Sequence, residues 1–332
     1  MPDARDHVLL VTHRGDHYAV DRVAEELVRR GARPRRIDSD GFPAELRLTT
    51  TIHDEPQGRR VLHDAEGTID GEQVRAVWLR RLWRPRLDEE LDPSLRDGCI
   101  RESRAALVGF LDGFRHRRVV NPLDRDRAAL DKLQQLRIAR ELGLTIPRTL
   151  VTNDPDQVLA FHDAAGGRLV TKMLTPLSQS MGGHAPLVRT NELRPEDLEE
   201  LDGLRHSPMV FQEQIDKSHE LRVAVVDAGG GRCLAAAIDA TTSREGRVDW
   251  RKATPAEVGW RPASLPDALA SSLLALVRAL GLVYGAADLI VTPDGRHVFL
   301  ELNPAGEWGM LERDAGLPVA AAIADALMES PR

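Results

Sequence analysis

Two carboxylates and one amide stand close together near the end of this 332-residue chain. They lie in Gly285 to Pro304, GAADLIVTPDGRHVFLELNP, where two apolar runs flank Pro293-Asp294-Gly295-Arg296. Asp-Gly between strand-like runs signals a hairpin, because Gly supplies the positive φ the turn needs. With Asp294 and Gly295 as the loop, Pro293 pairs with Arg296 and Asp288 falls opposite Glu301. Side chains alternate along a strand, so Glu301 and Asn303 share one face while Leu300 and Leu302 take the other. Asp288, Glu301 and Asn303 then form a hard-oxygen set suited to Mg²⁺, which fills its remaining positions with water and substrate phosphates. A wet hairpin face accounts for one such carboxylate. It does not account for two inside apolar runs with an amide two residues on.

Cations for a phosphate partner lie upstream. Lys172 sits in the strand-like run LVTKML, on the same face as Val170 and Leu174. A lysine there either snorkels at a sheet edge or offers a flexible point charge to phosphate. Lys132 stands near the start of a helical pattern over 125–142. TPLSQSMGG follows Lys172, and its Gly182-Gly183 pair could present backbone N–H groups to phosphates, although most such loops are linkers. Glu213 lies in the strand MVFQEQI with Phe211 and Ile215 on its face, and Glu220 and Arg222 share a face of the strand HELRVAVV. Two arginine islands, Arg80, Arg81, Arg84 and Arg86, then Arg244, Arg247 and Arg251, stand in a chain of net charge −7. For any one arginine a solvated surface is the ordinary reading.

The elements that must position these groups follow from periodicity. Val8 to Thr12 reads as a buried strand, Val20 to Arg30 as a helix ended by Gly31, and Arg35 to Asp38 as a second strand. This βαβ opening indicates an α/β domain with a parallel component. Its first loop, THRGDHY, lacks G-x-G-x-x-G, and His13 and His17 lack a third ligand, so a solvated loop is expected there. Leu46 to Ile52 and Arg60 to His63 read as short strands, and Val74 to Trp83 as a longer one. Helices are expected over 103–114, 125–142 and 266–280 and at the C-terminus. Asn121-Pro122 marks a domain boundary.

The composition is that of a globular chain with sizeable cores. Its acidity argues against a nucleic-acid partner. No stretch reaches the apolar length of a membrane span, and the N-terminus is not a convincing signal peptide. Cys99 and Cys233 carry no metal-ligand spacing and read as reduced thiols of a cytoplasmic protein.

Taken together, the spaced lysines, Glu213, Glu220, Asp288 and Glu301-x-Asn303 resemble the ATP-grasp superfamily over roughly residues 120 to 310. DSDGFP, VWLRRLW, VDWRKA and YGAADLIVTPDGRHVFLELNPAGEWGMLE extend the resemblance over nearly the full chain, to the microviridin-type peptide maturases, or graspetide synthetases. The resemblance implies an α/β (α+β) ATP-grasp fold: an N-terminal pre-ATP-grasp domain at 1–120, a central subdomain at 121–190 and a C-terminal antiparallel-sheet subdomain at 191–332. It implies that ATP and Mg²⁺ are used to join Asp or Glu side chains of a ribosomal precursor peptide to Thr, Ser or Lys side chains of the same peptide. By position, Lys132 and Lys172 would bind phosphates. Glu213 and the backbone around it, with Gln212, Gln214 and Ile215, would hold adenine, and Glu220 the ribose. Arg222 and Arg251 would face the γ-phosphate and the reacting carboxylate. Asp288, Glu301 and Asn303 would hold the metal. A leader segment would dock near Thr241 to Ala253, and Arg80, Arg81, Arg244 and Arg247 would face the peptide. A homodimer is expected, and Asp249 and Glu307 are candidates for the base. Two other classes stay open: a ligase that adds free amino acids, and a nucleotide-binding regulator without ligase activity.

Overall fold

The computed structural model describes residues 5–52, 58–174, 190–239 and 259–330. The chain opens with β1 (His7–Thr12), α1 (Tyr18–Arg29) and β2 (Arg33–Asp38). A three-stranded antiparallel flap follows, formed by β3 (Arg47–Thr51), β4 (Arg59–Asp64) and β5 (Gly67–Asp70). Then come β6 (Val74–Leu79), α2 (Pro93–Asp112) and β7 (Arg118–Val120). The strands β2-β1-β6-β7 make one parallel sheet in that order. Its central strands are apolar on both faces, as a doubly covered parallel sheet requires. Val8, Leu10, Ala76 and Trp78 face α1 through Val20, Val23 and Leu27. Leu9, Val11 and Val77 face α2 through Leu107, Phe110 and Leu111.

The helix expected over 125–142 is two helices, α3 (Leu123–Ala128) and α4 (Lys132–Glu141). Asp131 is the reason. Its carboxylate accepts the N–H groups of Leu133 and Gln134, both at 3.0 Å, and so starts a new helix in which Lys132 is the first residue. Within α3, Asp126 Oδ1 is buried and has no hydrogen-bond partner among the described residues. Burial pushes its carboxyl up to about 6, against a weaker opposing pull from Arg127. A raised carboxyl binds a proton in the fold that the unfolded chain has already lost, so its penalty develops as pH rises from about 4 to about 6. Asp126→Asn is therefore expected to gain up to about 3 kcal/mol at pH 7. The gain should vanish below about pH 4. Urea unfolding of both proteins at the two pH values checks this, and an equal difference at both would overturn it.

The central unit comprises β8 (Thr149–Thr152), α5 (Pro155–Ala164), β9 (Leu169–Lys172), β10 (Asn191–Glu192), the short α6 (Pro195–Glu199) and β11 (Met209–Glu213). Its sheet runs β10-β9-β11-β8. The boundary expected at 190 therefore cuts a sheet, because β11 pairs with both β8 and β9. The unit is complete only after Glu213.

The last unit contains β12 (His219–Val226), β13 (Arg232–Ile238), β14 (Arg261–Ala263), α7 (Asp267–Ala279), β15 (Tyr284–Val291), β16 (His297–Asn303), α8 (Gly309–Arg313) and α9 (Val319–Met328). Its antiparallel sheet runs β14-β13-β12-β15-β16. Leu221, Val223, Val225 and Leu302 pack on α4 and α7. Ala224, Val226 and Ala286 share a core with α9 and with the α1 face of the parallel sheet. The final helix thus joins the last unit to the first. Arg30 pairs with Asp325 at 2.7 Å, and Arg118 Nε donates to Ala326 O at 2.8 Å. Asn121, buried at the expected boundary, is a fixed joint. Its Nδ2 donates to Tyr284 O and Pro304 O, and its Oδ1 accepts from Val283 and Tyr284 N–H, all within 3.0 Å. No helix among the described residues is long and apolar enough to cross a membrane.

Candidate active site

The β15–β16 hairpin is built differently from the expected two-residue turn. Thr292 N–H donates to Arg296 O at 2.9 Å, which leaves Pro293, Asp294 and Gly295 as a three-residue loop, with Gly295 at φ +84°. The longer loop moves Val291 opposite His297. Asp288 nevertheless faces Glu301, because β16 carries a bulge. Leu289 pairs with Phe299 and Asp288 with Glu301, so Leu300 is the extra residue. Without that bulge Leu300 would stand opposite Asp288, and Glu301 would turn to the other face.

Arg222 on β12 lies directly opposite Asp288 on the other side of β15. Arg222, Asp288 and Glu301 therefore form a row across three strands. Arg222 Nη1 donates to both Asp288 oxygens, at 2.8 and 3.0 Å. Asn303 Nδ2 donates to Glu301 Oε1 at 3.0 Å and to Asp288 Oδ2 at 3.3 Å. Lys132 Nζ lies 3.1 Å from Glu301 Oε2 and donates to Asn303 Oδ1 at 3.2 Å. The lysine and the hairpin are held together by Gln135, one turn along α4. Its Nε2 donates to Leu302 O at 2.7 Å, and its Oε1 accepts from Leu302 N–H at 2.9 Å. That pairing gives the outer edge of β16 the hydrogen bonds of a neighbouring strand.

Charge balances the row. Burial acts to raise the Glu301 carboxyl, but Lys132, Lys172 and the Asn303 amide outweigh it and hold it at about 2. Lys172, the last residue of β9, thus acts on the same carboxylate. Burial acts to lower the Arg222 guanidinium, and Asp288 reverses this, so it is held above its ordinary value. Both groups are charged at neutral pH. Among the described residues, no group of three or more His, Cys, Asp or Glu side chains could hold a metal. The hairpin offers two carboxylates and an amide. That set fits Mg²⁺, which takes few protein oxygens and completes its shell with phosphate and water, and fits zinc poorly.

Residues 7–127 match the family model described as the MvdD pre-ATP grasp domain. The macrocyclase MdnB of Microcystis aeruginosa MRC is 43% identical over 97% of this chain and 99% of its own, with a TM-score of 0.80. The macrocyclase MdnC of the same organism, solved with its precursor peptide MdnA, is 34% identical over 98% of this chain and 100% of its own, with a TM-score of 0.84. The chain belongs to the ATP-grasp macrocyclases of ribosomal peptides. A RiPP-associated ATP-grasp ligase of Chryseobacterium gregarium, solved with ADP and a leader and core peptide, is 32% identical over 98% of both chains, with a TM-score of 0.90. Among curated proteins, none matches.

In this macrocyclase fold the other expected site residues divide. Gln212 is buried and donates to Thr149 Oγ1 at 2.9 Å. The Glu213 carboxylate lies on the Phe211 face and accepts Arg148 N–H at 2.9 Å. Gln214 N–H donates to Arg168 O at 3.0 Å. Glu220 is paired with Lys217. Arg80 is corrected outright. It was expected on a peptide-facing surface, but its side chain is 1% exposed and is bonded to Ala305 and Glu307. Glu307 is not a free base, since one carboxylate oxygen accepts from Arg80 and the other from Trp308 and Gly309 N–H. Arg81 keeps some exposure. Arg244, Arg247, Asp249 and Arg251, the stretch Thr241 to Ala253 and Gly182-Gly183 lie outside the described residues. Gln135 was missed. Its signal is an amide in the apolar stripe of a helix, three residues after a candidate lysine.

Proposed function

We propose that this chain is an ATP-dependent macrocyclase of a ribosomal precursor peptide with a leader and a core rich in Thr, Asp and Glu. It would activate an Asp or Glu side chain of the core as an acyl phosphate. A Thr or Ser hydroxyl, or a Lys amine, of the same peptide would then close the ring. The observation that carries this reading is the row Arg222–Asp288–Glu301, closed by Asn303 and by Lys132. It sets a guanidinium beside a cluster of hard oxygens, with Lys132 3.1 Å from Glu301 and Lys172 acting on the same carboxylate, an arrangement suited to transfer of a phosphoryl group to a carboxylate.

Lys132 and Lys172 hold the phosphates and offset their charge. Asp288, Glu301 and Asn303 hold Mg²⁺, which when bound neutralises charge on the phosphates. Arg222 and Arg251 draw the peptide carboxylate toward the γ-phosphorus against the repulsion of two anions. The carboxylate displaces ADP, and the tethered hydroxyl or amine then displaces phosphate from the acyl carbon. The nucleophile is already part of the same chain, so positioning supplies much of the rate. Incubation with the cognate precursor, ATP and Mg²⁺ should lower the peptide mass by one water per ring and release ADP and phosphate. A mass gain equal to one amino acid would instead favour a ligase that adds free amino acids.

Arg81 supports peptide binding where Arg80 does not. Its guanidinium reaches Glu307 Oε2 only at 3.3 Å, an oxygen that Arg80 already holds at 2.6 Å. Its side chain is 32% exposed, so donors remain for an acidic side chain of the core. Arg81→Ala is expected to raise the peptide KM by about tenfold or more, the worth of a charged hydrogen bond. The KM for ATP should hold. Steady-state rates with each substrate varied check this, and a change confined to ATP would remove Arg81 from the peptide site.

A further inference from the structure

The carboxyl ends of adjacent strands at a switch in strand order are where open α/β sheets keep their ligands. Here β1 and β6 meet at such a switch, and the space above them is filled by Arg80. Its backbone N–H donates to Val11 O at 2.9 Å, just past the end of β6. Its side chain then leaves the first domain. Nη1 donates to Ala305 O and Nη2 to Glu307 Oε2, each at 2.6 Å, and Nε lies 3.5 Å from Asp16 Oδ2. Asp16 is itself held by the Thr12 hydroxyl at 2.8 Å.

The two acceptors on the far side belong to the segment Pro304 to Trp308, which continues directly from β16 and its oxygen cluster. That strap has a second attachment. Glu307 O accepts Arg222 Nε–H at 2.7 Å. Gly306 lies against the same guanidinium. A Cβ there would come 3.0 Å from Arg222 Nη2 and 2.4 Å from the Ala286 Cβ. Tyr284 OH, wholly buried, donates to Gly306 O at 2.9 Å. Arg222 is thus boxed by Asp288 in front and by the strap behind, and the strap is pinned from the first domain by Arg80.

We infer that Arg80 is a positioning residue for the ligation step: through Glu307 and the Pro304–Trp308 strap, the N-terminal domain sets the orientation of Arg222. The inference rests on the reading of Arg222 as the guanidinium at the reacting carboxylate. Arg80 touches no reacting atom. A shorter or neutral side chain would take the Arg80 bonds from Glu307 and Ala305, let the strap shift, and turn Arg222 away from its bifurcated hold on Asp288. It would slow the chemistry without altering the lysines that bind nucleotide.

The test is a double-mutant cycle with a spectroscopic partner. Arg80→Gln in the wild-type background should lower the cyclisation kcat by at least tenfold, with the KM for ATP within about threefold, and Arg80→Lys should recover part of the loss. Added to Arg222→Lys, Arg80→Gln should cost little more, because the group it acts through is already altered. Multiplied losses would overturn the inference. Where Arg80→Gln fails to bind ADP by calorimetry, Glu307→Gln takes its place in the cycle, since it weakens the ion pair and keeps the strap backbone. Independently of any turnover, the Arg222 Nε–H resonance in a ¹⁵N-arginine-labelled protein should report the bond to Glu307 O. It should shift and exchange faster in Arg80→Gln. An unchanged resonance would overturn the positioning role even if the cyclase reading stands, and a wild type without cyclisation would count against that reading alone.

Discussion

Glu301→Gln should lower the cyclisation rate by about a thousandfold or more, equivalent to roughly 4 kcal/mol of barrier. The replacement is nearly isosteric and can still accept from Asn303, so the hairpin should keep its shape. What disappears is a full negative charge at the point where Lys132 at 3.1 Å, Asn303 and the field of Lys172 converge. A doubly charged cation is then left with Asp288 as its one anionic protein ligand, and Asp288 is shared with Arg222. Asp288→Asn should be damaging for the same reason, and should also raise the Mg²⁺ concentration needed for half-maximal rate. ADP binding measured without Mg²⁺ should change only a few-fold, because Lys132 and Lys172, the proposed phosphate ligands, remain. Single-turnover rates across a Mg²⁺ titration provide the check. A folded Glu301→Gln protein that reaches the wild-type rate at millimolar Mg²⁺ would remove the hairpin from the metal site.

The Asp288–Glu301 pairing was legible in the sequence, although two offsetting departures produced it. The loop holds Pro293, Asp294 and Gly295 instead of two residues, and the bulge at Leu300 restores the register. Neither has a local signature as strong as Asp-Gly, because β16 meets its outer partner, Gln135 of α4, across 167 positions of sequence at Leu302. Arg222 was readable as a strand residue with its side chain on the Glu220 face. Its place opposite Asp288 was not, since that needs the pairing of β12 with β15. Asp131 shows the same limit at smaller scale. Its helix-starting role is written in its side chain, but the apolar stripe through Leu130 and Leu133 reads as continuous, and both leucines are exposed in the fold. Arg80 and Arg81 are neighbours with opposite fates. Alternation separates their faces but cannot say which face meets a strap that arrives from more than two hundred residues downstream.

Arg222→Met should produce two losses that can be told apart. The first is stability. Methionine fills much of the arginine volume but removes both Arg222 bonds to Asp288, a carboxylate largely removed from water. Breaking a buried pair from one side typically costs about 3–5 kcal/mol, most of it the penalty of the stranded charge. The second loss is chemical, and it should reach at least about a hundredfold in rate, the usual effect of removing a preorganised donor from a developing anion. Adding Asp288→Asn to Arg222→Met separates them. The neutral amide no longer needs a cation, so the double variant should regain much of the lost stability. Its cyclisation should stay as low as in Arg222→Met or fall further, since the guanidinium is still missing and one metal ligand has gone. Urea unfolding and single-turnover cyclisation on the same three proteins make the comparison. If activity returned together with stability in the double variant, Arg222 would be a structural counter-ion to Asp288 and nothing more, and the reacting carboxylate would have to be held by another cation.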